Sequence, residues 1–229
     1  MKLFTRSTAT GLLAIGLSLG IGASASFAVS DPPAIPNAPS EGAAPAASKK
    51  HCTRLIERRV VDLAKWSARV QFRMNLTQAQ KDELIGEMKA TSDALIAVAL
   101  PNVQNATTKA QLKAACKAIF TDYRVYLVVH PRTFITANAW GWLARIDELQ
   151  AKADALEAQG KDTSIAEAYL AQARNLALPI HDQLDGITPQ VWNADPAGTK
   201  AKFKSAKSAL RTVQFDVKQA AKILRQLSQ

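Results

Sequence analysis

Four basic side chains near the C-terminus offer the clearest chemistry in this chain. Lys200, Lys204, Lys207 and Arg211 recur at i, i+4, i+7 and i+11. On an α-helix that spacing lines them along one face, because 3.6 residues complete a turn. Residues 199–227 hold eight basic side chains, and Asp216 is their only acid. A row of cations without interleaved acids suits anionic lipid or phosphate-bearing polymer. The plainer alternative is a solvated face on a packed helix.

A second group gathers around Pro131: Tyr123, Arg124, Tyr126, His130, Arg132 and Trp140. Aromatic rings beside cations stack on sugars or bases, and a kink between helices makes a cleft. The same residues at helical spacing also serve as core with flanking solvation. This junction is the expected ligand cleft.

The remaining titratable groups give no catalytic constellation. His51, His130 and His181 form no H-x-x-x-H or E-x-x-H pattern, so zinc-protease and di-iron bundle sites lack their ligands. His130, before Pro131, is expected to favour a helix C-terminus electrostatically. His181-Asp182 resembles an orienting pair without a marked nucleophile. Glu83 and Glu87 share a helix face and read as exposed charge, as do Asp147 and Glu148. There is no Gly-rich phosphate loop and no G-x-S-x-G elbow. Neither catalytic residues nor a metal or cofactor are expected.

The two cysteines are Cys52 and Cys116. In an exported chain an even count reads as a disulfide. An up-down-up set of three helices would bring both to the same end. The competing reading is a pair of free thiols, with His51 beside them as a metal or redox site.

Export is the strongest inference from the N-terminus. Lys2 and Arg6 precede an apolar run over residues 11–21, followed by Ala23-Ser24-Ala25 and Ser26-Phe27-Ala28, both small-x-small cleavage patterns. The run is short for a membrane span, which takes about 20 apolar residues. Cleavage near 25–28 would lower the net charge of +10 by two. Residues 29–48 hold Pro32, Pro33, Pro36, Pro39 and Pro45 and are expected to form an extended spacer.

The body reads as all-α. Its 229 residues include only 10 Gly and 10 Pro, and aromatics make up 6%. Six helices are expected, over about 50–74, 77–100, 108–130, 133–159, 164–184 and 199–227. Thr77 with Gln80, Thr108 with Gln111, and Ser164 with Glu167 read as capping boxes. Pro101, Pro131, Gly160 and Pro179 read as stops or bends. TKAQLKAACKAI at 108–119 returns as TKAKFKSAKSAL at 199–210. That similarity reads as a duplication or as shared Ala/Lys composition. It divides the chain into a signal (1–28), a spacer (29–48) and two antiparallel three-helix units (49–130 and 131–229). These would be joined by a kinked long helix as a spectrin-like rod, or packed as one bundle.

Residues 144–176, ARIDELQAKADALEAQGKDTSIAEAYLAQARNL, resemble the helical hairpins of uncharacterised secreted bacterial proteins. The Gly160-Lys161-Asp162-Thr163-Ser164 turn is the most specific part. The resemblance implies an exported helical protein and assigns no catalytic residue.

The functional expectation is therefore a non-enzymatic exported protein. It would associate through the cationic face with an anionic cell-wall polymer, a membrane surface or another extracellular partner. Nucleic acid is a poor partner for an exported chain. The alternative is a small-ligand or metal-binding bundle with its site near Pro131. An enzyme would need one cleft joining His130, His181 and the carboxylates.

Overall fold

The computed structural model describes residues 42–229, and the export signal and most of the Pro-rich spacer lie outside these residues. The fold is all-α, as the composition indicates. Its helices are α1 (Ala46–Gln71), α2 (Gln78–Ala94), α3 (Leu100–Asn105), α4 (Lys109–Thr121), α5 (His130–Glu157), α6 (Ser164–Ala177), α7 (Ile180–Asp185), α8 (Pro189–Ala194) and α9 (Pro196–Leu227). No helix among the described residues is long and apolar enough to cross a membrane.

Two prolines are expected as stops or bends, and helix continues through both Pro101 and Pro131. A π-helical turn precedes each, Leu95–Ala99 before α3 and Val125–Val129 before α5. Leu100 N–H bonds to the Leu95 carbonyl and His130 N–H to the Val125 carbonyl, five residues back. The wider turn displaces the carbonyl that a proline ring would otherwise strike. The chain breaks instead at Arg124, the one described non-glycine residue with positive φ (φ 43°, ψ 37°). The helix expected to end near His130 thus ends at Thr121, and a boundary drawn between 130 and 131 falls inside a continuous helical run.

The caps at Thr77 and Thr108 form as the spacing indicates, each reciprocated by its glutamine. At α6 the pattern shifts. Ser164 is the first helical residue, and Asp162 Oδ1 accepts from its N–H at 3.1 Å and its hydroxyl at 2.6 Å. Gly160 takes the left-handed turn that ends the α5 region (φ 78°), a conformation costly for a residue with a Cβ. Pro179 separates α6 from α7. The spacer stops sooner than expected. Ala43 bridges Thr108, and residues 46–48 already belong to α1.

The repeated stretch occupies two different settings. Thr108 caps a helix of 13 residues, whereas Thr199 lies inside a helix of 32 residues capped by Asp195. Buried side chains form three clusters. Ile56, Leu63, Met88 and Ile119 centre the one built from α1 to α4 together with Val125, Val129 and Ala137. Ile146, Leu170, Val217 and Leu224 join α5, α6 and α9. Val128, Ile135, Ile180, Leu184 and Phe203 centre the third. The disulfide expected between Cys52 and Cys116 is present, with 5.6 Å between Cα atoms, so the free-thiol reading is overturned.

Candidate functional site

The cation row follows from the way α9 packs. Phe203, Ala206, Val213, Val217, Ala220 and Leu224 are its buried apolar residues, spaced by threes, fours and one seven. Lys204, Lys207 and Arg211 repeat that spacing one residue later than Phe203, Ala206 and Leu210, so they run along the edge of the buried seam. Their edge faces a groove of about 550 Å³ lined by Lys200, Lys204, Lys207 and Arg211 and by Tyr126, Leu127, Pro131, Trp192 and Phe203.

The cations on this edge are uncompensated. Among the described residues none of the four has an acid within 4.0 Å. Like charges at i,i+3 and i,i+4 each cost a helix roughly 0.2–0.5 kcal/mol. The rest of the lining is largely apolar. Leu127 is 46% exposed, and Trp192 lies 6.2 Å from Phe203 between ring centroids.

Arg124 sets that lining. Its left-handed backbone turns the chain from α4 into the helical run that carries Tyr126 and Leu127. Its guanidinium donates to Asn193 Oδ1 at 2.8 and 2.6 Å, and Asn193 Nδ2 donates to the Thr121 carbonyl at 2.7 Å. Helix α8, and Trp192 with it, is thereby tied to the end of α4. Tyr126 donates its hydroxyl to Asp62 at 2.7 Å, and Arg59 lies 5.2 Å from its ring centroid. Burial, the Asp62 hydrogen bond and the Asp62 charge hold the Tyr126 pKa above the ordinary phenol value, against the pull of Arg59 and Arg58.

The six residues expected to form the ligand cleft therefore separate. Tyr126 lines the groove and Arg124 supports it. Tyr123 bonds the Ala94 carbonyl at 3.2 Å and packs on the first cluster. His130 begins α5 instead of ending a helix, so the expected contact with a helix C-terminus does not exist. Its ring lies 4.1 Å from Trp66 and 4.7 Å from Phe134. Burial, with repulsion from Arg69 and Lys207, lowers its pKa. Arg132 and Trp140 belong to a different polar junction.

That junction was not legible in the sequence. Glu83 and Glu87, read as exposed charge, reach across to other helices. Glu87 pairs with Arg132 at 2.5 Å, and Glu83 accepts from His181 Nε2 at 2.9 Å. Arg132 also donates to the Asp185 and Ile187 carbonyls. The His181 ring lies 3.2 Å from Asp182 and 5.0 Å from the Trp140 ring centroid. Burial disfavours the His181 charge. The hydrogen bonds to Glu83 and Asp182 and the charges of Glu83 and Asp185 outweigh it, so the His181 pKa rises. The cavity here measures about 10 Å³, room for about one water. It does not include His130. Asp147 and Glu148 pair with Arg174 and Arg145. Among the described residues, no cluster of three or more His, Cys, Asp or Glu could hold a metal ion.

No family model, curated protein or solved structure matches the chain.

Proposed function

We propose that this is an exported, non-enzymatic binding protein whose α9 groove holds an anionic group of the cell envelope, carried by a lipid or a wall polymer. The observation that carries the reading is the groove itself, lined by four cations that have no acid within 4.0 Å among the described residues and by the apolar side chains of Leu127, Trp192 and Phe203. The cations recognise phosphate or carboxylate, and the apolar side chains take the apolar part of the same ligand. The bond between Cys52 and Cys116 suits an oxidising compartment outside the cytoplasm. A groove of this volume also falls within the range of roughly 300–1,000 Å³ of small-molecule sites, which favours a freely diffusing anionic amphiphile as the second reading.

The test is sedimentation of the protein with purified envelopes and with vesicles of anionic or neutral lipid, across a salt series. The companion variant changes Lys200, Lys204, Lys207 and Arg211 to Gln. Each cation near an anionic surface contributes about 1 kcal/mol, so binding should fall roughly a thousandfold in the variant. Folding should survive, since like-charge repulsion is removed. In wild type, bound anion offsets Lys207, so the His130 pKa followed by NMR should rise on binding. Binding at low salt that the variant leaves unchanged, or no binding at all, would overturn the envelope reading. Uptake of soluble alkyl phosphate without sedimentation would favour the second.

A further inference from the structure

A second hollow, of about 470 Å³, lies between the segment after α1 and the middle of α5. It shares no lining residue with the α9 groove. Gly141 gives it part of its shape. A Cβ at Gly141 would overlap the Asn75 side-chain amide, so only glycine lets Asn75 lie flat against α5.

The groups around this hollow differ in kind from those on α9. Trp142 is half-buried against the α5–α6–α9 cluster and offers the remainder of its ring to the hollow. Asn75 and Asn138 each bring a carbonyl acceptor and an amide donor. Arg145 and Glu148 pair at 2.6 Å on the rim and add a donor and an acceptor. Among the described residues, neither the Asn75 amide nor the Trp142 N–H is hydrogen-bonded, so both are free to meet a ligand.

Arg73 supplies the charge. It is half-buried, yet its polar partner is the neutral Asn138 Oδ1 at 2.8 Å, and its guanidinium lies 5.8 Å from the Phe134 ring centroid. Among the described residues no acid lies within 4.0 Å of it. Burial without a counter-charge disfavours the guanidinium and lowers its pKa. A carboxylate would meet that fork with two parallel hydrogen bonds.

An aromatic face, paired amides and one guanidinium with no acid within 4.0 Å among the described residues together match one ligand class. A pyranose ring lays its C–H face on an indole and turns its hydroxyls toward amides that both donate and accept. We propose that this hollow is a saccharide site that takes a single pyranose ring bearing a carboxylate. Trp142 is the platform, Asn75 and Asn138 read the hydroxyls, and Arg73 holds the carboxylate. The site is independent of the α9 groove, so either can fail alone.

The experiment is calorimetric titration of the whole protein with three probes: glucuronate, glucose, and gluconate, which is an open-chain acid. Glucuronate should bind saturably, with glucose about tenfold weaker and gluconate weaker still. Arg73→Gln should bring glucuronate down to the level of glucose and leave glucose unchanged. Trp142→Ala should abolish binding of both sugars. Trp142→Phe, which keeps a ring on the same core, should retain it and so separates loss of the platform from loss of the fold. The variant lacking the four α9 cations should bind glucuronate as wild type does. Equal affinity for gluconate and glucuronate would reduce the site to a plain anion contact and overturn the proposal. So would an unchanged preference in Arg73→Gln, or no saturable glucuronate binding at tens of millimolar.

Discussion

Opening the bond between Cys52 and Cys116 should lower the melting midpoint by about 10 °C. The bond closes a loop with a sequence separation of 64. In the chain-entropy model a loop of that size restricts the unfolded ensemble by about 4 kcal/mol. A chain of this length shifts by roughly 2–4 °C per kcal/mol, and the product is the expected drop. Two forms separate the contributions. Reduced wild type loses the constraint alone. Cys52→Ala with Cys116→Ala also removes sulfur from a buried position, since Cys52 is 5% exposed, and should melt slightly lower still. The assay is far-UV circular dichroism against temperature, with and without reductant, at fixed pH. A drop under about 3 °C would refute the loop argument. It would mean that the unfolded chain keeps α1 near α4 without the bond, leaving little entropy to remove. The double alanine variant should not respond to reductant, and a response there would also count against the reasoning.

Arg124→Gly removes a left-handed L-residue, worth about 1–2 kcal/mol, and with it the tether to Asn193, worth a similar amount. The melting midpoint should hardly move, while affinity for anionic vesicles falls several-fold because α8 is released; unchanged affinity would show that the tether does not shape the groove. For His181 the folded pKa is raised, so its stabilisation is full below the ordinary histidine value and is lost as pH rises through the folded one. The midpoint gap between wild type and His181→Gln should close from about pH 6.5 upward, and a gap that widens with pH would contradict the pairing with Glu83. Asp216 is 2% exposed, its Oδ2 has no partner among the described residues, and burial raises its pKa, so its cost is absent at low pH, grows as pH rises past the ordinary carboxylate value and is complete above the folded one. Asp216→Asn should stabilise the protein by on the order of 1 kcal/mol at neutral pH and by nothing near pH 3; equal effects at both would remove the charge argument.

These expectations separate what a single helix reveals from what packing decides. The cation row on α9 was legible because both its spacing and the seam beside it belong to one periodic segment. The caps at Thr77 and Thr108 were legible for the same reason, since both partners of each box lie within one turn. The pairing of Cys52 with Cys116 follows from the even count and the expected compartment. Glu83 and Glu87 were misread because their partners sit on other helices, with His181 98 positions from Glu83. No local pattern distinguishes such a glutamate from a solvated one. The two π-helical turns did leave a local trace: LIAVA and VYLVV are five-residue apolar runs, each followed by one residue and a proline. Proline alone reads as a stop. Proline after a run with one buried face reads as a helix that widens to continue, because ending it would expose Leu95 and Ala99 in one case and Val125 and Val128 in the other.

What the cations face depends on one residue that carries no pattern. Arg124, three residues past the end of α4, makes a left-handed turn that most sequences assign to glycine or asparagine. The cost is tolerable because the same side chain bonds Asn193 twice and Asn193 bonds the end of α4. A glycine there would give the turn and lose the tether. An arginine in an ordinary helical conformation would carry the helix onward, and Tyr126 and Leu127 would point elsewhere. The groove therefore exists because strain and tether are joined in one residue. A basic helix face becomes a site with an apolar wall only once that turn is made, which is why the face could be read from α9 alone and the wall could not.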